Sequence, residues 1–300
     1  MIDIPESFAF TKEFSEGERG RTWIAALPGL VADLLQHWSC TPDGPVMHGQ
    51  VGIVVPVRHR DLPPAVIKVS FPHPGNVHEP DAFAAWNGRG AAQLFERCDD
   101  RFAMLLERAH YRTLASVTDH EEALGIQGRL SHRLSIEAPP GLPRLSDRRG
   151  EWEDEMLAAA AAFDHPLPAH VLDAALATLR ELGPDQPNTL IHGDLHDANI
   201  LASEREPWLA IDPKGYVGDP AHNALNVIRS PRFAALLGSP NLKPEVLRLL
   251  GIYCDAAQLD PVHTRRWTQA RTVREALLGR RQGDPTWLIH ATDQLAEALT

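Results

Sequence analysis

Three hundred residues, 43% of them hydrophobic and 23% charged, can bury one large core or two moderate ones, which excludes a disordered polypeptide. A formal net charge of −11 argues against a nucleic-acid partner, which would call for a basic stripe along the phosphate backbone. Cys40, Cys98 and Cys254 are odd in number and far apart, and there is neither a basic leader running into an apolar stretch nor an apolar run of membrane-spanning length; the expectation is a cytoplasmic protein without disulfides or a membrane partner, a monomer or weak dimer.

In chain order, Trp23, Ile24, Leu27, Leu30, Val31, Leu34, Leu35 and Trp38 recur at helical spacing and predict one long amphipathic helix with a kink at Pro28. After the turn Thr41-Pro42-Asp43-Gly44-Pro45, segments 46–57 and 65–71 are rich in Val and Ile, and Asp61-Leu62-Pro63-Pro64 separates them as in a β-hairpin. A short helix over 78–87 comes next. Runs from Ala91 to Arg97 and from Phe102 to Glu107 flank Asp99-Asp100 and complete a small antiparallel sheet carrying a helix, so residues 1–108 are expected to form one domain and 109–300 another. From Thr113 the pattern is helical, apart from a surface loop over 138–150 marked by Pro139, Pro140 and Pro143. From Pro168 to Leu182, residues Val171, Leu172, Ala175, Leu176, Leu179 and Leu182 share one helical face, and Gly183-Pro184 ends it. Beyond Pro220 the chain is helical again, with Val246, Leu249 and Leu250 in one element and Trp267, Val273 and Leu277 in another.

The chemistry concentrates in Leu190-Ile191-His192-Gly193-Asp194-Leu195-His196-Asp197-Ala198-Asn199-Ile200-Leu201 and in Leu209-Ala210-Ile211-Asp212-Pro213. Two short apolar runs each deliver an acid at or just beyond a strand end, and an asparagine stands five residues after the first acid. That arrangement suits phosphoryl transfer from a nucleotide: Asp194 orients an acceptor hydroxyl and takes its proton, while Asn199 and Asp212 hold magnesium against the phosphates. Mg²⁺ prefers hard oxygen ligands and keeps several waters, so one amide and one carboxylate are a sufficient protein share of its shell. An alternative is that His192, Asp194 and His196 ligate zinc or a similar metal, as in a metal-dependent hydrolase, although no further donors stand at recognisable spacing downstream.

The pattern H-G-D-x-x-x-x-N followed by I-D resembles the catalytic loop and metal-binding segment of the aminoglycoside phosphotransferases, relatives of the protein kinases. Ala210-Ile211-Asp212-Pro213-Lys214-Gly215-Tyr216-Val217-Gly218-Asp219-Pro220 is similar to the streptomycin 6-kinase and hydroxyurea phosphotransferase branch in particular. Gly20-Arg21-Thr22-Trp23, Ala26-Leu27-Pro28, Trp86-Asn87-Gly88-Arg89-Gly90-Ala91 and Leu105-Leu106-Glu107-Arg108 follow the same branch in the right order. The resemblance implies an α+β, bilobal, protein-kinase-like fold with a small antiparallel-sheet amino-terminal lobe and a larger, mainly helical carboxyl-terminal lobe. It also implies ATP and Mg²⁺, and a small-molecule acceptor phosphorylated on a hydroxyl. By the same resemblance His192 braces the loop through backbone hydrogen bonds without touching substrate.

Lys68, inside the apolar run Val66-Ile67-Lys68-Val69, stands where a kinase lysine grips the α- and β-phosphates, with Glu79 as its preferred acidic partner and Asp81 the second choice; a plain surface lysine is the alternative. Adenine is expected between the lobes, taking the carbonyl of Glu107 and the amide of Ala109. His48-Gly49-Gln50-Val51-Gly52 is either a phosphate-covering loop or an ordinary hairpin turn. Residues 151–300 hold 21 acidic against 13 basic side chains, which favours a cationic acceptor met by Asp197 and Asp219; a solvated acidic surface is the competing account. A streptomycin-type aminocyclitol leads as acceptor. Hydroxyurea, a sugar or another metabolite follows, and a catalytically silent nucleotide-binding relative is the reading from another class.

Overall fold

A computed structural model describes residues 2–228, 230, 233 and 235–300. The chain divides into two compact units, Met1–His110 and Tyr111–Thr300.

In the first unit, helix α1 spans Glu6–His37 and is broken at Gly17 (φ 60°, ψ −132°). The expected kink at Pro28 is not there: Pro28 sits inside the second arm, and Gly17 alone departs from helical dihedrals. Glycine carries no Cβ and adopts that positive φ without strain. The arms pack backbone to backbone, since a Cβ on Gly20 would lie 2.3 Å from the Lys12 carbonyl. The first arm lies outside the predicted helix because its polar sequence has no sustained apolar period; only Phe8, Lys12 and Gly20 are buried before Leu27.

The sheet comprises β1 (Thr41–Pro42), β2 (Met47–His48), β3 (Gly52–Arg58), β4 (Ala65–Ser70), β5 (Leu94–Cys98) and β6 (Ala103–Glu107). Its order is β1-β3-β4-β6-β5 with β2 also on β3, and every pairing is antiparallel. The single strand expected over 46–57 is two, because the chain turns tightly where the Gly49 amide donates to the Gly52 carbonyl at 3.0 Å. Strand alternation puts Ala65, Ile67 and Val69 on one face of β4 and Val66, Lys68 and Ser70 on the other. The first set packs with Ile53, Val55, Val57, Leu27, Val31 and Leu34 in one core, each large side chain contributing about 1.5–3 kcal/mol. Helix α2 (Glu79–Trp86) buries Phe83 and Trp86 and ends at Asn87 in the left-handed region.

The second unit is mainly helical. Its helices are α3 (His120–Leu134), α4 (Arg149–Ala162), α5 (Ala169–Leu182), the short α6 (Leu225–Ile228), α7 (Leu242–Ala257), α8 (Pro261–Gln282) and α9 (Thr286–Leu299). The predicted face of α5 is found: Val171, Ala175, Leu176 and Leu179 pack on Trp152, Met156, Trp267, Val273 and Leu277. A second cluster joins Val246, Leu249 and Leu250 of α7 to Leu124 and Leu225. Between α3 and α6 lie two small sheets. Strands β7 (Ile136–Glu137), β8 (Thr189–Ile191) and β11 (Tyr216–Val217) are ordered β11-β8-β7, and β9 (Ile200–Ala202) pairs with β10 (Trp208–Ala210). Both acids of the sequence motif follow these strands, Asp194 after β8 and Asp212 after β10. Among the described residues no helix is long and apolar enough to cross a membrane.

Candidate active site

The loop leaving β8 turns at Gly193 (φ 82°), where a Cβ would lie 2.8 Å from the Tyr216 ring and 3.1 Å from Lys214 Cβ. Only glycine satisfies both the dihedral and the close approach. His192, fully buried, supports the loop from within: Nε2 donates to the Ile211 carbonyl (2.9 Å) and Nδ1 accepts from the Asp194 amide (3.2 Å). One ring nitrogen donates and the other accepts, which is the neutral imidazole. Burial pushes its pKa down to about 4, against the opposing pull of Asp194 and the Ile211 carbonyl. With both nitrogens engaged, His192 cannot ligate a metal, and no cluster of three or more His, Cys, Asp or Glu suited to a metal occurs among the described residues.

Further side chains fix the loop backbone. Gln127 of α3 donates to the Leu195 carbonyl at 2.5 Å, and Asn223 accepts from the Gly193 amide at 3.0 Å while donating to Ser131, which also receives the Tyr253 hydroxyl. No sequence signal marked these residues, since Gln127 and Ser131 stand among other polar residues of α3 and Asn223 follows His222. The Asp194 carboxylate is left open by all this anchoring. Its side chain is about one-third exposed, accepts no hydrogen bond from a described residue, and lies 4.0 Å from His196 Nε2. A carboxylate so placed keeps its lone pairs for a hydroxyl proton.

Asn199 donates from Nδ2 to the Asp194 carbonyl at 3.0 Å, which leaves Oδ1 as the end available to a cation. Its own carbonyl accepts from the Ile211 amide (2.9 Å), tying the catalytic loop to the segment that carries Asp212. Asp212 has φ 58°, uncommon for a residue with a Cβ, and its neighbours hold it there: Ile211 by Asn199 and His192, and Lys214 by the His192 carbonyl at 2.8 Å. Such over-determined strain gathers at functional sites. An amide oxygen and a carboxylate on adjoining, mutually tied segments are hard donors that fit Mg²⁺.

In the first unit Lys68 Nζ meets Glu79 Oε1 at 2.5 Å, both side chains being buried. Asp81, the second choice, is occupied by Arg97 (2.9 Å) and His78 (3.1 Å). Glu107 closes β6 and exchanges bonds with Gln93, its amide donating to the Gln93 carbonyl and its carboxylate accepting from the Gln93 amide. Among the described residues nothing accepts a hydrogen bond from the Ala109 amide.

The two acids expected at the acceptor are buried in the second unit. Asp197 is buried and accepts from Ser230 at 2.8 Å. Asp219 is 9% exposed; Oδ1 accepts from the Ala221 amide (2.9 Å), and Oδ2 from His263 Nε2 (2.5 Å) and Trp267 Nε1 (3.1 Å). Within the second unit these oxygens are engaged by Ser230, Ala221, His263 and Trp267.

Residues 37–283 match the aminoglycoside/hydroxyurea antibiotic resistance kinases. The chain belongs to this family. It is 35% identical to a streptomycin 6-kinase of Streptomyces glaucescens, the alignment covering 100% of this chain and 97% of that one. It is 31% identical to a hydroxyurea phosphotransferase of Kitasatospora aureofaciens over 92% of this chain and 80% of the relative. Among solved structures, the macrolide 2′-phosphotransferase of Brachybacterium faecium superposes with a TM-score of 0.55 at 17% identity, covering 92% of this chain and 98% of that one. The kinase therefore has the protein-kinase-like fold, an antiparallel sheet in its first unit and a helical second unit, and is a phosphotransferase that uses a nucleotide.

Proposed function

We propose that this kinase transfers the γ-phosphoryl group of ATP to a hydroxyl of a streptomycin-type aminoglycoside, in the cytoplasm, as a monomer or weak dimer. The observation that carries the reading is the Asp194 carboxylate, to which no described residue donates, on a loop whose backbone is otherwise anchored, with the Asn199 amide nitrogen turned to the Asp194 carbonyl and no described residue bonding its oxygen. Asp194 takes the hydroxyl proton as the new O–P bond forms. Asn199 and Asp212 hold Mg²⁺, which neutralises charge on the phosphates. Lys68, its ammonium fixed by Glu79, binds the α- and β-phosphates, and the Glu107 carbonyl and Ala109 amide receive the adenine edge. A silent nucleotide-binding module would not need Lys68, Asp194, Asn199 and Asp212 together.

The streptomycin assignment rests on the 35% relative, and the hydroxyurea phosphotransferase relative supports hydroxyurea as the second acceptor. The test is Mg²⁺-dependent ATP consumption with streptomycin, hydroxyurea and neutral sugars in parallel, each product identified by mass. Phosphorylated streptomycin is the expected product. Turnover of hydroxyurea alone would replace the acceptor, and magnesium-dependent nucleotide binding without turnover of any acceptor would leave the silent module.

A further inference from the structure

Of 29 basic residues in the chain only four are lysines: Lys12, Lys68, Lys214 and Lys243. Arginine supplies most of the chain's cations, so a lysine in the catalytic segment is a departure. Lysine is a compact point charge on a flexible stem, suited to a phosphate oxygen that moves during reaction. Between Thr189 and Asp219 the lysine and arginine residues are Arg205 and Lys214. Arg205 is paired with Glu206 at 3.0 Å, whereas among the described residues Lys214 makes neither an ion pair nor a side-chain hydrogen bond.

The backbone fixes where Lys214 starts. Its amide donates to the His192 carbonyl at 2.8 Å, and its Cβ lies 3.1 Å from the position a Cβ on Gly193 would take. It is therefore packed on the residue preceding Asp194 and stands two residues beyond Asp212. A lysine stem extends about 5 Å from Cβ, four bonds of about 1.5 Å, so Nζ can sweep a radius that takes in the neighbourhood of Gly193 on the loop that bears Asp194. The remainder of the catalytic loop supplies no arginine or lysine, while phosphoryl transfer spreads negative charge over the equatorial oxygens of the moving group.

We propose that Lys214 is a catalytic residue that binds the γ-phosphoryl group, in ATP and through transfer, a role that rests on the phosphotransferase reading above. The bond from the bridging β–γ oxygen to phosphorus breaks, the acceptor oxygen–phosphorus bond forms, and the hydroxyl proton goes to Asp194. Lys214 keeps its own protons throughout and offsets charge on the non-bridging oxygens.

The experiment compares binding of Mg·ADP with that of Mg·(β,γ-imido)ATP, by calorimetry, in wild type, Lys214→Met, Lys214→Arg and the exposed control Lys243→Met. A contact made only to the terminal phosphoryl group predicts that Lys214→Met weakens the triphosphate about tenfold while Mg·ADP stays within twofold, consistent with one lost hydrogen bond to a charged group. Lys214→Arg should recover most of the difference, Lys243→Met should match wild type, and kcat of Lys214→Met should fall on the order of 10²-fold. Equal weakening of both nucleotides, or a triphosphate-to-diphosphate ratio within twofold of wild type, overturns the proposal; if Lys214→Met does not fold, the Lys214→Gln ratio is read by the same criterion. A wild-type protein that binds neither nucleotide instead overturns the nucleotide reading itself, and one that binds both but ignores streptomycin overturns only the acceptor.

Discussion

Lowering the pH should destabilise the second unit through His192, and replacing that residue should remove part of the effect. The folded pKa of His192 is pushed down from 6.5 to about 4, mainly because burial disfavours the imidazolium. The folded state therefore holds the neutral ring while the unfolded chain takes up a proton near pH 6.5, so this contribution is complete above that pH and is lost as pH falls toward 4. Between pH 7.5 and 5.0 the loss from this one residue is about 2 kcal/mol. His222, whose pKa is lowered chiefly by burial and further by Arg271, Arg274 and Arg148, acts in the same direction.

His192→Gln retains a donor for the Ile211 carbonyl but cannot titrate. It should cost about 1–3 kcal/mol at pH 7.5, where a buried polar contact is imperfectly replaced, and its further loss on going to pH 5.0 should be about 2 kcal/mol smaller than that of wild type. Urea unfolding of both proteins at the two pH values, followed by tryptophan fluorescence, gives the comparison directly. Parallel pH dependences in the two proteins would show that His192 is not held neutral by its buried position, and would refute the tautomer assigned to it.

Other substitutions test the site and its support. Asp194→Ala should leave nucleotide affinity nearly intact and cut turnover by a factor on the order of 10²–10⁴; a mutant keeping half its activity removes Asp194 from the chemistry. Lys68→Met should raise the KM for ATP and Glu79→Gln should do so less severely, with a double mutant no worse than Lys68→Met alone, because the two groups meet at 2.5 Å. Additive losses would show that they act independently. Asp219→Ala removes a cap from Ala221 and leaves Trp267 Nε1 buried without its acceptor, a cost of about 2–4 kcal/mol, visible as a thermal shift of roughly 5–15 °C. An unshifted melting temperature with weakened streptomycin binding would restore Asp219 to the acceptor site.

Much of this was readable in the sequence where chemistry and backbone demand coincide. The spacing of Asp194, Asn199 and Asp212 was legible because the two acids follow strand ends and the asparagine must reach back to the loop, which it does through the Asp194 carbonyl. Glu79 was separable from Asp81 only weakly by position, and the structure separates them through Arg97, whose guanidinium takes Asp81 at 2.9 Å. Arg97 is a strand residue with no local signal pointing at α2. The break at Gly17 was hidden for a different reason: the first arm buries too few side chains to print a period, so its helix is set by tertiary contacts such as the ring pairs of Phe8 with Trp23 and His48.

The acceptor was the least legible part, and the ion pairs explain why. An excess of acid over base in residues 151–300 says nothing about which carboxylates remain available. Glu153 is taken by Arg180, Glu155 by Arg274, Glu181 by Arg266 and Asp293 by Arg280, all within 2.5–2.7 Å. Asp219 is enclosed by His263 and Trp267, and Asp197 by Ser230. These internal engagements use the same chemistry that would recognise a guanidinium on a substrate, so a charge count cannot tell one from the other. The discriminating property is an unoccupied carboxylate on the catalytic face, and of the acids named in the sequence Asp194 is the one shown with its oxygens unbonded by described residues. On the proposed reading a cationic acceptor presents its hydroxyl to Asp194, and a guanidinium could reach Asp197 or Asp219 only by competing with the partners that already engage them.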